Sequence, residues 1–225
     1  MKPITVDWRE GASIHQIVEV LSSELPVIAF EFDRVFGLVA PLSNGGVLAL
    51  NKVKQRLPSK TYGSILLSEE AFMSNSKLHI SNPEVFFTSI NNCFIRSQFR
   101  CTKNTSEVTS HQTHQTLLPD SALKTFFANL HKQIPSTTES YFEHPFPSFL
   151  VTSANKSGMP VITSLAEMNS FAHEKEIPII VSTGLSGRII GSFPILDFSN
   201  EPYSISRHGI RDQELFELCL SHLKK

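Results

Sequence analysis

Strand-sized apolar runs alternate with amphipathic helical stretches along most of this chain. That alternation admits few architectures other than an α/β sheet with helices packed against it. Ser13 to Leu25 sets Ile14, Ile17, Val18 and Leu21 on one helical face and stops at Pro26. Val27 to Phe30 follows as a strand, and Gly37 suggests a turn at its end. Gly45-Gly46 precedes a helix predicted from Val47 to about Val53, and Ser64 to Leu67 reads as a strand. Pro119-Asp120-Ser121 opens a helix with Leu123, Phe126, Phe127 and Leu130 on one face, after which Phe149 to Val151 is again strand-like. Ser164 and Glu167 have capping-box spacing at the start of a further helix. Ile177 to Val181, Pro194 to Phe198 and Tyr203 to Ser206 complete the strands, and Gln213 to Leu223 is a closing helix with Leu215, Leu218 and His222 on one stripe. The last strands follow each other without a helix between them, so the sheet is expected to be mixed.

A length of 225 residues suits one domain with a substantial core. Asn91 to Gln115 is rich in Ser, Thr, Asn, Gln and His and keeps neither a strand nor a helix period, which predicts a long loop or insertion. The 20 Lys and Arg nearly balance the 21 Asp and Glu, so any anion site must be local. The apolar runs are too short to span a bilayer, and Asp7, Arg9 and Glu10 stand where a signal peptide needs apolar residues. A cytoplasmic protein with no membrane association is expected. Cys93, Cys101 and Cys219 form no C-x-x-C pair and read as free thiols. His111 and His114 lack a carboxylate or thiolate at ligand spacing, and no metal site is expected.

Lys52, Lys54, Arg56 and Lys60 place four cations within nine residues at the end of the Val47 helix. Taken alone, this cluster fits solvated side chains that complement the negative end of a helix dipole.

Four blocks change that reading. Asp33-Arg-Val-Phe-Gly-Leu38, Lys54-Gln-Arg56 with Pro58 and Lys60, Thr152-Ser-Ala-Asn-Lys-Ser-Gly158 and Arg207-His-Gly209 resemble, in order, the P-T-D-T-V-Y-G-L, K-x-R-P-x-x-K, S-A-N-x-S-G and R-x-G motifs of the YrdC family. The resemblance runs over about residues 13 to 210 and implies a single YrdC-like domain, a twisted mixed sheet flanked by helices. It further implies the reaction of threonylcarbamoyl-AMP synthases, in which ATP, bicarbonate and L-threonine give threonylcarbamoyl-AMP and pyrophosphate for tRNA modification. Mg2+ is expected with ATP. Lys54 and Arg56 would be the catalytic cations, and Lys54, Arg56, Lys60, Ser153, Asn155 and Arg207 would bind the nucleotide. Ser153 with Phe32, Arg34 and Phe36 would face the amino acid.

The chain departs from the family where Phe32 and Arg34 replace threonines and Phe36 replaces tyrosine. An apolar wall in place of hydrogen-bonding groups loosens the requirement for L-threonine, so that another small amino acid is expected to compete with it, while Arg34 turned inward would pair with the substrate carboxylate. RNA, either tRNA or double-stranded RNA, is an implied partner. The alternative is an ATP- or double-stranded-RNA-binding relative without synthase activity.

Overall fold

The computed structural model describes residues 2–33, 35–55, 61–102, 107–135, 141–156, 158–182 and 191–223. These divide into two compact units. One is Met1–Lys60, Ala128–Glu139 and Phe149–Ser192; the other is Thr61–Phe127, Ser140–Ser148 and Phe193–Lys225. The chain crosses between them five times, so neither unit is a continuous stretch of sequence.

The first unit contains β1 (Ile4–Asp7), α1 (Gly11–Leu21), β2 (Ile28–Phe32), β3 (Val35–Pro41) and α2 (Asn44–Lys54). From later in the sequence it takes β7 (Phe149–Ser153), α6 (Leu165–Glu174) and β8 (Ile179–Ser182). Its strands lie in the order β1-β8-β2-β3-β7. β1, β8 and β2 are mutually parallel, whereas β3 runs antiparallel to both β2 and β7. The carboxyl ends of β1, β8, β2 and β7 therefore share one edge, where α/β sheets present their ligand sites.

Local chemistry explains the departures from the sequence reading. Gly37 is not in a turn but inside β3, where a Cβ would lie 2.7 Å from Phe32 Cε2 and 3.2 Å from the Thr152 carbonyl oxygen. Gly45 and Gly46 fall inside α2 and not before it. Ser43 caps the helix by accepting from the Gly46 N–H at 3.0 Å, and a Cβ on Gly46 would meet the Pro41 carbonyl. β1 was not expected. Its four residues are half exposed and too few to show a period.

The second unit holds β4 (Gly63–Ile65), α3 (Glu69–Asn75), α4 (Pro83–Ser89), β5 (Cys93–Gln98) and β6 (Thr113–Leu118). It also holds β9 (Ile195–Asp197), β10 (Ser204–Arg207) and α7 (Asp212–His222). α5 (Ser121–His131) begins in this unit and ends in the first. The strand order is β4-β6-β5-β9-β10, again mixed in direction. The expected Asn91 to Gln115 loop is corrected by β5 and β6, which pair antiparallel from Cys93↔Leu118 to Gln98↔Thr113. Ser97, Thr113, His114 and Thr116 are buried polar side chains on these strands, and they erase the apolar alternation that would have revealed them. Among the described residues the three cysteines are free thiols, and no helix is long and apolar enough to cross a membrane.

The buried polar cluster of the second unit centres on His114. Its Nδ1 lies 2.9 Å from the Val108 carbonyl and must donate to it, so Nε2 accepts from the Ser64 hydroxyl at 2.7 Å. Phe99 and Phe142 pack on the ring at 5.2 and 5.0 Å. Burial lowers the imidazole from 6.5 to about 4. The folded state thus disfavours the charged form, and the unfolded chain takes up the proton first as the pH falls. The contribution of neutral His114 is complete above pH 6.5 and is lost on acidification toward 4, amounting to about 3 kcal/mol. Urea midpoints at both ends of that window should fall less in His114→Gln than in the parent protein; equal falls would contradict this assignment.

Candidate active site

The helical phase of α2 decides which of its lysines can take part in a site. Val47, Leu50 and Val53 form its buried stripe, and Lys54 lies on the same stripe, four residues after Leu50. Lys54 is accordingly 3% exposed, whereas Lys52 points to solvent. A left-handed Gln55, with φ of 48°, ends the helix immediately afterwards. Lys54 is therefore not a solvated cation at a helix end.

Its ammonium crosses to the carboxyl end of β7. Nζ donates to the Ser153 carbonyl oxygen at 2.6 Å and to Asn155 Oδ1 at 2.8 Å. The Ser153 hydroxyl donates to the same Oδ1 at 2.9 Å, and Asn155 Nδ2 donates to the Met159 carbonyl. Two donors on Oδ1 and an acceptor at Nδ2 fix which way the amide faces. These two acceptors are uncharged oxygens, and they orient the ammonium.

Backbone pairing holds the loop after β7 in place. Ala154 donates to the Phe36 carbonyl at 2.7 Å, Ile162 donates to Ala154 at 3.1 Å, and Phe36 donates to Ile162 at 3.3 Å. Lys156 turns outward to Glu174 at 2.7 Å, and this contact with Lys175 holds the Glu174 carboxyl below its usual range. Ser164 caps α6 as the sequence suggested, accepting from the Glu167 N–H at 3.2 Å.

The structure therefore brings Lys54, Ser153 and Asn155 together. Phe32 and Phe36 are 1% and 0% exposed and pack inside the first unit, with Phe32 over Gly37. Arg34, Arg56 and Lys60 lie outside the described residues. Arg207 belongs to the second unit, where its Nε donates to the Phe193 carbonyl at 2.8 Å and its guanidinium lies 5.6 Å from the centre of the Phe94 ring. Burial lowers its pKa to about 10.

The Met159 carbonyl offers no side-chain signal in the sequence. Outside this cluster, Glu31 interrupts the apolar β2 with a carboxylate that is 1% exposed and accepts from Ser182 Oγ at 2.5 Å.

Neither a family model nor a curated protein matches the sequence. Solved structures do match. P. abyssi Sua5 complexed with L-threonine superposes with a TM-score of 0.75 at 18% identity, over 100% of this chain and 62% of that one. E. coli YciO gives 0.67 at 14% identity, over 95% of this chain and 97% of its own. A full-length HypF in a phosphate- and nucleotide-bound form gives 0.60 at 16% identity, over 91% of this chain and 34% of its own. The chain thus has the YrdC-like fold and spans less than two thirds of the Sua5 chain.

The shared amide supplies a stability test. In a double-mutant cycle, Lys54→Met and Asn155→Ala should couple by about 1–2 kcal/mol in urea unfolding, because each removes a partner of the other. Lys52→Met with Asn155→Ala should show no coupling. Additive effects in the Lys54 cycle would mean that the contact contributes nothing.

Proposed function

We propose that this chain is a nucleotidyl transferase of the YrdC type, which transfers AMP from ATP to an N-carboxylated small amino acid and releases pyrophosphate. The observation that carries the proposal is the Lys54 ammonium, buried and aimed at Ser153 and Asn155 across 99 and 101 residues of sequence. In the proposed step a carbamate oxygen attacks the α-phosphorus of Mg-ATP. The bond from that phosphorus to the bridging oxygen breaks, and pyrophosphate leaves with the electron pair. Anion approaches anion, so charge must be neutralised on the phosphoryl oxygens. Lys54 supplies one preoriented cation, and Arg56 is assigned the second. Ser153 and Asn155 offer uncharged hydrogen bonds to phosphate or sugar. The threonine in the Sua5 structure supports an amino acid as acceptor, and the bound form of HypF supports a nucleotide on this fold. The product would serve tRNA modification in the cytoplasm.

One observation favours a second reading, an ATP- or double-stranded-RNA-binding protein without the transfer reaction. Phe32 and Phe36 are closed into the core where the resemblance places hydroxyl groups for the amino acid.

Pyrophosphate release from Mg-ATP and bicarbonate, measured with single amino acids, tests both readings. Turnover is expected with a small amino acid, and Lys54→Gln should lower it on the order of a hundredfold while Lys52→Gln leaves it unchanged. ATP binding without turnover on any amino acid supports the second reading. Absence of turnover, of ATP binding and of double-stranded-RNA binding refutes the two together.

A further inference from the structure

In the second unit two hollows of about 430 and 320 Å3 adjoin along the extended segment after α3, and Lys77, Leu78 and His79 line both. We propose that they form one groove that binds a single-stranded nucleic acid, with phosphates along a row of cations and a base against Tyr203. The groove shares no residue with the Lys54 cluster, and the proposal does not depend on the transfer reaction.

The first observation is the cation row. Ser76 faces Phe99 in an antiparallel bridge, with the Lys77 N–H donating to the Gln98 carbonyl and the Arg100 N–H to the Asn75 carbonyl, both at 2.8 Å. Strand alternation puts Lys77, Gln98 and Arg100 on the face opposite Ser76 and Phe99, and His79 rejoins that face two residues on. Burial keeps the same period, since Ser76, Leu78 and Ile80 are buried whereas Lys77 and His79 are exposed. Alternate side chains of an extended segment stand about 7 Å apart, a spacing that follows a charged chain and not a single compact anion. Lys77 Nζ donates to Gln112 Oε1 at 3.3 Å and Arg100 Nη1 to the Ser74 carbonyl at 2.6 Å. Among the described residues neither forms an ion pair. Asp197 faces Arg96 at 3.7 Å and lines neither hollow, which leaves Glu201 as the one carboxylate of the lining.

The second observation is the wall at the other end. Tyr203 lines the groove and lies T-shaped against Phe198 at 5.3 Å, and Phe198, 4% exposed, stacks on Phe216 at 5.4 Å. Phe198 thus braces the tyrosine ring, as a stacking platform for a base requires. Gln98 ties this wall to the row, because its Nε2 donates to the Ser199 carbonyl at 3.0 Å while its backbone carbonyl holds Lys77. Asn200 and Glu201 line the same hollow and offer oxygens to the exocyclic amine of a base. Cations on one side and an aromatic ring on the other suit a flexible chain that carries charge and flat apolar groups in alternation. Inorganic phosphate leaves the ring untouched, and a duplex keeps its bases stacked away from it.

Fluorescence anisotropy with a labelled oligocytidylate at neutral pH tests the proposal, over a series of salt concentrations and with CMP and a duplex RNA as competitors. Saturable binding is expected, weakening as salt rises. In Lys77→Gln/Arg100→Gln affinity should fall at least tenfold, and the slope of log Kd against log salt should fall by about 1.4, since each phosphate contact in a single strand contributes ~0.7. Lys52→Gln/Lys132→Gln removes the same charge from exposed positions of the first unit and should change neither. Tyr203→Ala should weaken binding on the order of tenfold at an unchanged slope, and Tyr203→Phe should restore it. Circular dichroism establishes that the variants are folded. Four results would overturn the assignment: no saturable binding, equal losses in the two double variants, an unmoved affinity in Tyr203→Ala, or displacement by CMP or duplex RNA as effective as by the unlabelled strand.

Discussion

An ammonium group withdrawn from water at the end of α2 needs oxygens in fixed positions, and in the first unit that need is met by the carboxyl end of β7. Taking a charge of this size out of solvent costs several kcal/mol unless its hydrogen bonds are well formed. The Ser153 carbonyl and Asn155 Oδ1 supply two such bonds, at 2.6 and 2.8 Å. The consequence is a chain of dependences. Asn155 cannot turn its amide without losing Lys54 and Ser153 on one side and the Met159 carbonyl on the other, and the loop it anchors is tied back through Ala154 and Ile162 to Phe36 on β3. Preorganisation of this kind is what electrostatic stabilisation of a phosphoryl group requires, because the donors do not reorganise as charge develops.

Strand direction gathers the rest. β3 runs against its neighbours, so β1, β8, β2 and β7 all end at one edge, and the Lys54 cluster falls on that edge.

The sequence made the α/β class and most strands legible because apolar runs such as Val27 to Phe30 and Phe149 to Val151 are both short and continuous. Four weak motifs taken together led to Lys54, Ser153 and Asn155. The burial of Lys54 was also readable, from its place on the Val47, Leu50 and Val53 stripe, but the basic residues around it masked that phase. β5 and β6 were missed because His114, Ser97 and Thr116 are polar residues satisfied inside a core, a pattern that mimics a loop. Gly37 reads as a turn former and Gly46 as a residue ahead of a helix, whereas close approaches of Phe32 and the Pro41 carbonyl exclude a side chain there.

The central claim is that the Lys54 cluster receives the phosphates of a nucleotide. The side-chain amide of Asn155 reports on it directly, because both its oxygen and its nitrogen are engaged there. In two-dimensional 15N–1H spectra of the labelled protein, titration with Mg-ATP should shift the Asn155 side-chain NH2 pair to saturation, with side-chain amides far from the cluster unmoved. An Asn155 pair that stays in place through millimolar Mg-ATP would contradict the account.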